Sequence, residues 1–288
     1  MGQIRQPDLR DQHQRMAAQL VCALEEDHTG RTPIDPALMS SEAWEDPRFG
    51  HVFWVANDTA IGFATVELTS GTTQLAMIPD CHNQTLDFAR ALQRDLSVNR
   101  VWARGERSAA AGLSGTTVRR LAILSRSLTT TLIWPTTTMT VRPFDPVSDV
   151  QAWLQANAEI FAALPDQANT SATDLAALQQ EPWFDATGFW VALDGRDDVL
   201  GFHWTKLTAD ERLGGTVSGE VYVLGVRPSQ QGSGLAGDLL NIGLLHLQSR
   251  GARRAHLWVE SDNTRAVSFY ERYDFQRVDS DALISLER

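Results

Sequence analysis

Basic residues are scarce in this chain, and lysine is nearly missing. Its 288 residues hold 36 Asp and Glu against 25 Lys and Arg, and Lys206 is the single lysine. The net charge is −11, and no Lys/Arg run interrupts it. Such a surface gathers few phosphates, which argues against duplex nucleic acid and anionic membranes as partners. Cysteine is limited to Cys22 and Cys81, which form neither a disulfide framework nor a metal-ligand spacing. No apolar run reaches the ~18 residues of a membrane span, and the opening Met1-Gly2-Gln3-Ile4-Arg5 has no apolar signal core. What is present is core-forming material: 43% apolar residues, with nine Trp and eleven Phe. At ~150 residues per domain, the length predicts about two domains, and the cysteine usage with no signal core or membrane span in the sequence leads us to expect a cytoplasmic protein.

The two domains read as copies of each other. Phe53-Trp54-Val55-Ala56 recurs as Phe189-Trp190-Val191-Ala192, and Ile61-Gly62-Phe63 as Leu200-Gly201-Phe202. Leu75-x-x-x-Pro79 recurs as Leu224-x-x-x-Pro228, and Val101-Trp102 as Leu257-Trp258. The matches keep their order while their offset grows, as loop insertions require. Pro135 to Pro143, two prolines around a Thr-rich stretch, marks the joint. The predicted domains are 1–138 and 139–288.

Periodicity in the second copy predicts helices over 149–161 and 171–180, then strands over 189–193 and 199–207 joined by a turn. A strand over 220–226, a helix over 235–247, a strand over 255–259, a helix over 264–273 and a last strand follow. This order predicts an α/β fold, each copy a mixed, mostly antiparallel sheet flanked by helices.

The segment richest in chemistry is Val221-Tyr222-Val223-Leu224-Gly225-Val226-Arg227-Pro228, followed by Gln230-Gln231-Gly232-Ser233-Gly234-Leu235-Ala236-Gly237. Glycines at a helix start let backbone N–H groups converge on a pyrophosphate, helped by the helix dipole. No Lys or Arg falls between Pro228 and Arg250, so the backbone would carry that load nearly alone. About thirty residues on stands Glu260-Ser261-Asp262-Asn263-Thr264-Arg265-Ala266-Val267-Ser268-Phe269-Tyr270-Glu271-Arg272-Tyr273-Asp274-Phe275. Together these strings resemble the GNAT family of acetyl-CoA-dependent N-acetyltransferases. The family's Q/R-x-x-G-x-G/A signature is met by Gln231, Gly234 and Ala236. Its N-x-x-A-x-x-F-Y-x-x-x-G-F signature is met by Asn263, Ala266, Phe269, Tyr270 and Phe275. Asp274 replaces the usual Gly, at a place that wants positive φ, which Asp tolerates.

Trp183-Phe184-Asp185, Gly201-Phe202-His203-Trp204-Thr205-Lys206 and Gly219-Glu220-Val221-Tyr222-Val223-Leu224-Gly225-Val226 narrow the resemblance. They look like the tandem branch of the family that acetylates the cysteinyl amine of desacetylmycothiol, a cysteine–glucosamine–inositol conjugate. The likeness is dense over residues 180–286 and thin before residue 140. It implies acetyl-CoA as co-substrate, a small amine as acceptor, a monomer and no metal.

The resemblance also implies roles. Glu220 is the general base and Tyr270 the acid that protonates the leaving thiolate. Leu224, Gly225 and Val226 meet the coenzyme as a strand would. Gln231, Gly232, Ser233, Gly234, Leu235, Ala236 and Gly237 meet its pyrophosphate. Asn263, Thr264, Arg265, Ala266, Val267 and Ser268 meet its tail, and Asn263 is also a natural N-cap. Asp35, Asp166, Lys206, Glu220 and Trp258 are the substrate contacts, with Trp258 where the branch has Tyr. The first copy has no glycine between Met77 and Asp87, and Asp87 would repel phosphate, so that copy reads as catalytically inactive. His246 and His256 read as ordinary helix and strand residues, and Glu25-Glu26-Asp27-His28 as a solvated helix end. An acetyltransferase of another amine and a non-catalytic acyl-CoA sensor are the competing readings.

Overall fold

The computed structural model describes residues 2–8, 11–210 and 216–287. The chain forms two compact units. One comprises Met1–Ile123, Trp258–Phe269 and Arg277–Arg288; the other comprises Leu124–Leu257 and Tyr270–Gln276.

In the first unit the sheet runs β1 (Gln3–Arg5), β2 (Phe49–Ala56), β3 (Thr59–Glu67), β4 (Thr72–Met77), β5 (Arg100–Arg104) and β12 (Gln276–Leu286), followed by the start of β6 (Gly115–Ser127). Pairings are antiparallel except β4 with β5. Helix α1 (Gln12–Thr29) packs Ala18 and Val21 with Phe53, Val55 and Phe63. The short α2 (Ser41–Glu45) adds Trp44, whose ring stacks on Phe63 at 5.6 Å. Helix α3 (Thr85–Leu96) packs Phe88 and Leu92 with Val52, Trp54, Leu75 and Met77. Successive strand residues thus enter opposite cores, which is why these strands are apolar throughout rather than alternating.

Glu25 corrects the sequence reading of a solvated helix end. It is fully buried in α1. Its carboxylate accepts from the backbone N–H of Met77 at 2.5 Å and of Ala109 at 2.7 Å. Without it, two buried donors would go unpaired, each at a cost of ~1–3 kcal/mol. Burial nevertheless raises its pKa from 4.5 to about 7, despite those two bonds. The same burial, with Glu25 and Glu26 nearby, pushes the Cys22 thiol up to about 12.

In the second unit β7 (Thr140–Pro143), β8 (Phe189–Leu193), β9 (Val199–Asp210) and β10 (Thr216–Val226) are antiparallel neighbours. β11 (Arg254–Glu260) then pairs with β10 in parallel. The end of β6 lies beyond β11: Ser125 Oγ donates to the Ala255 carbonyl at 3.0 Å, and Leu128 N to Arg253 at 2.9 Å. Helices α4 (Val150–Ile160) and α6 (Ala172–Leu178), with the short α5 (Pro165–Ala168) between them, cover one face. There Trp153 and Leu175 pack with Phe189, Phe202 and Trp204. Phe189 stacks on Trp204 at 4.5 Å and on Phe144 at 4.3 Å. Helix α7 (Leu235–Ser249) covers the other face, where Leu235 and Leu239 meet Ala192. Helix α8 (Thr264–Glu271) precedes β12.

The repeated strings occupy corresponding strands: β2 and β8, β3 and β9, β4 and β10, β5 and β11. The compact units are nevertheless not the sequence copies. Residues 124–138 belong to the second unit and 277–288 to the first. Among the described residues, no helix is long and apolar enough to cross a membrane.

The Glu25 geometry predicts a pH dependence of stability. Its folded pKa is raised, so its contribution is full below about 4.5 and is lost as pH rises through about 7. Glu25→Gln keeps an acceptor but cannot ionise. Urea unfolding between pH 4.5 and 7.5 should show the wild type losing about 3 kcal/mol relative to this variant. Parallel pH profiles would show that Glu25 ionises as easily folded as unfolded.

Candidate active site

The site begins where a strand loses its neighbour. β10 pairs with β11 at Ser218↔Arg254, Gly219↔Ala255 and Glu220↔His256. Beyond Glu220, β10 runs on to Val226 against β9, ending at Val226↔Gly201. The β9 register shifts between Val221 and Val223, just where the β11 pairing ends. A bulge bends the strand and re-aims its side chains. The β10 edge carrying Leu224, Gly225 and Val226 therefore has no second strand partner among the described residues. Its backbone donors and acceptors suit an extended amide-bearing chain.

A 3-10 turn, Pro228–Gln230, leads from β10 into the glycine loop. Gly232 has φ +86° and Gly234 φ +93°, and a Cβ at either would meet nothing within 4 Å. Gln231, Gly232, Ser233 and Gly234 are exposed, whereas Leu235 is buried as the anchor of α7. Gly234 N-caps α7 without a side-chain cap, and its carbonyl accepts from Gly237 N at 2.9 Å and Asp238 N at 3.2 Å. Ser233 Oγ accepts from Leu235 N at 3.3 Å. Left-handed glycines, open space and a helix N-terminus form a cradle for an anion. Behind the cradle the packing is close: a Cβ on Gly237 would lie 1.8 Å from Tyr273 Oη. In the first unit the corresponding stretch is a 3-10 turn, Pro79–Gln84, leading into α3 with Asp87 in its first turn.

Three titratable side chains stand in a row across the second unit's sheet. Glu220 is in register with Lys206 of β9 on one side and His256 of β11 on the other. Cross-strand partners share a face. Ser218 Oγ lies 3.2 Å from His256 Nδ1. The Lys206 ammonium sits 4.5 Å from the Trp183 ring centre and 5.7 Å from that of Tyr222, a cation–π arrangement. Burial, then the charges of Glu220 and Glu181, push the Tyr222 phenol up. On the opposite face His203 is fully buried, with Nδ1 2.8 Å from the Leu239 carbonyl of α7. Burial lowers its pKa to about 4, so it is neutral and fixes α7 to β9.

Tyr270 lies in the last turn of α8, its ring edge-on to Phe275 at 5.6 Å. Burial pushes its phenol well above the usual range, which keeps it protonated as a donor. Asp274, predicted to need positive φ, has φ +61°.

The remaining predicted residues are placed as follows. Asn263 Oδ1 accepts from Ala266 N at 3.0 Å, so it caps α8. Asp35 accepts from Ala37 N at 3.0 Å and lies 3.7 Å from Arg104. The Trp258 indole N–H donates to Asp281 at 3.0 Å. The side chain of Asp166, in α5, lies outside the described residues. Asp35, Trp258 and Asn263–Ser268 belong to the first unit; Lys206, Glu220, Leu224–Val226, Gln231–Gly237 and Tyr270 belong to the second.

The sequence reading missed a cavity of about 620 Å³ in the second unit. Trp153 and Asn157 of α4, Asp174 of α6, Trp204 of β9, and Tyr222 and Val223 of β10 line it. It also missed the place of His256 beside Glu220. Tyr222 stood near Glu220 in the sequence; no spacing signal marked Asn157, and the Ser171-x-x-Asp174 spacing marks a helix start rather than a site.

This geometry agrees with similarity to known proteins. Residues 151–275 match the Acetyltransferase (GNAT) family. The mycothiol acetyltransferase of Salinispora tropica is 40% identical over 77% of this chain and 76% of its own. That of Streptomyces scabiei is 38% identical over 84% of this chain and 82% of its own. The chain belongs to the mycothiol acetyltransferase family. Solved structures agree at the level of fold. A GCN5-related N-acetyltransferase from Sphaerobacter thermophilus superposes with TM-score 0.69 at 20% identity, over 98% of this chain and 94% of that one. A tandem GNAT protein from the clavulanic acid biosynthesis pathway gives 0.69 at 13% identity, over 98% and 97%.

In this family member the Tyr273–Gly237 contact yields a prediction. Gly237→Ala should displace Tyr273, costing ~1–3 kcal/mol through overpacking and loosening the first turn of α7. Thermal melting should fall, and calorimetric affinity for acetyl-CoA should drop about tenfold, ~1.4 kcal/mol. Wild-type values for both would mean that Tyr273 does not set the loop.

Proposed function

We propose that this protein transfers the acetyl group of acetyl-CoA to the cysteinyl amine of desacetylmycothiol, giving mycothiol and CoA, the last step of mycothiol biosynthesis. The reading rests first on mycothiol acetyltransferase relatives near 40% identity over most of the chain. We place the reaction in the cytoplasm of a monomeric enzyme, with the catalytic copy at 139–288 and an inactive copy at 1–138.

The chemistry assigned to the chain's own groups is acyl transfer to an amine. Glu220 takes a proton from the acceptor ammonium, directly or through water. The amine nitrogen then attacks the thioester carbonyl, forming the C–N bond. Backbone N–H groups of Leu224 to Val226 receive the developing oxyanion. The C–S bond breaks, Tyr270 donates its phenolic proton to the CoA thiolate, and the nitrogen gives up its second proton, which restores the phenol. Its buried phenol, held above the usual range, suits that donor role. Gln231 to Gly237 carry the pyrophosphate and Asn263 to Ser268 the coenzyme tail. The cavity beside Tyr222 and Val223 is assigned to the acceptor, with Lys206 as a donor to its hydroxyls. Asp35 and Asp166 are assigned to the acceptor as well. Trp258 would offer its ring face, since Asp281 holds its N–H.

The test is CoA release with desacetylmycothiol beside an aminoglycoside and a free-amine peptide. Selective turnover of desacetylmycothiol is expected. Faster turnover of another amine would overturn the substrate assignment. Acetyl-CoA binding without turnover of any amine would make the protein an acyl-CoA sensor. Within the assay, Glu220→Gln should lower kcat by about a hundredfold or more while leaving acetyl-CoA affinity intact. Tyr270→Phe should lower kcat by about tenfold to a hundredfold. Unchanged turnover in either variant would remove that residue's role.

A further inference from the structure

Arg126 stands near the end of β6, ahead of the 138/139 boundary, so by sequence it belongs to the first copy. Its side chain is only 5% exposed. Its contacts point mainly to the turn that closes α8. Nη1 donates to the Tyr273 carbonyl at 2.6 Å. Nη2 lies 3.7 Å from Asp274 Oδ2, and the guanidinium sits 5.9 Å from the Phe275 ring centre. The remaining contact is Nε to the Ser127 carbonyl at 3.5 Å.

That turn is bonded onto Tyr270. The N–H groups of Tyr273 and Phe275 both donate to the Tyr270 carbonyl, at 2.9 and 3.2 Å. Phe275 packs edge-on against the Tyr270 ring. Asp274 holds the left-handed conformation that lets the chain reverse. A cation is favoured at a helix C-terminus, where carbonyls lack internal donors. The arrangement is costly: burial holds the Arg126 guanidinium below its usual range, only partly offset by Asp274. An apolar side chain would fill the space without that penalty. What it could not do is grip a carbonyl and a carboxylate together.

We propose that Arg126 is a positioning residue for Tyr270, fixing the 273–275 turn so that the phenol stays buried and aimed at the leaving sulfur. This rests on Tyr270 acting as the acid. It gives the first sequence copy an indirect part in the reaction, through its final strand.

The test is a kinetic double-mutant cycle on the full-length protein with Arg126→Lys, Tyr270→Phe and both together. Arg126→Lys keeps the charge and loses the fork. It should lower kcat about tenfold, with KM for acetyl-CoA within about twofold. In the Tyr270→Phe background it should cost nothing further. Full kcat in Arg126→Lys, or losses that multiply in the double variant, would overturn the proposal. Wild-type turnover in Tyr270→Phe would remove the acid assignment and this proposal with it. A slow Tyr270→Phe beside an unaffected Arg126→Lys would remove this proposal alone. If Arg126→Lys does not fold, Phe275→Leu takes its place in the cycle with the same expectation. NMR of ring-labelled tyrosine gives a readout apart from activity, because the chain has three tyrosines. Arg126→Lys should shift the Tyr270 signal and spare that of Tyr222; an unmoved Tyr270 signal would contradict the proposal.

Discussion

The end of β10–β11 pairing at Glu220 and His256 is the constraint on which the second unit's site depends. A parallel pair that continued to Val226 would satisfy its own backbone and leave nothing for a ligand. The register shift at Val221–Val223 diverts β10 while β9 still holds it. One strand thereby serves two purposes. Its first half supplies Glu220 in a packed row with Lys206 and His256. Its second half presents open backbone on the way to the glycine loop.

Other features keep that strand and its loop in place. His203, buried and neutral, fixes α7 to β9 from one face. The aromatic layer of Phe189, Trp153 and Trp204 supports β8 and β9 from the other. Tyr273 fills the space that Gly237 leaves, so the end of α8 lies against the start of α7. Tyr270, the proposed acid, and the glycine loop proposed to hold the pyrophosphate are thus tied by packing rather than by a single bond. The absence of Lys and Arg between Pro228 and Arg250 agrees with the proposal that backbone amides meet the pyrophosphate there.

Local chemistry was legible in the sequence, and distant contacts were not. Gly232 and Gly234 announced the loop because few residues other than glycine accept φ near +90°. Asp274 announced a left-handed turn for a related reason. The repeated strings landed in corresponding strands because both copies bury the same sheet positions. Chain order, however, does not fix sheet order: β12 joins the first unit beside β5, which no periodicity could reveal. Glu25 looked solvated among acidic neighbours because its two donors lie 52 and 84 residues away. Arg126 was silent for the same reason, its carbonyl partner standing 147 residues on. His256 was dismissed as a strand residue, and only the register places it beside Glu220.

The most direct test of this account is amide hydrogen exchange across β10, with and without CoA. Amides of Leu224 to Val226 on the edge away from β9 should exchange quickly in the free protein and slow markedly when CoA binds, while those of Ser218 to Glu220, already paired with β11, change little. Unchanged exchange at Leu224 to Val226 under saturating CoA would contradict the account, because the coenzyme would then lie somewhere other than along the open half of this strand.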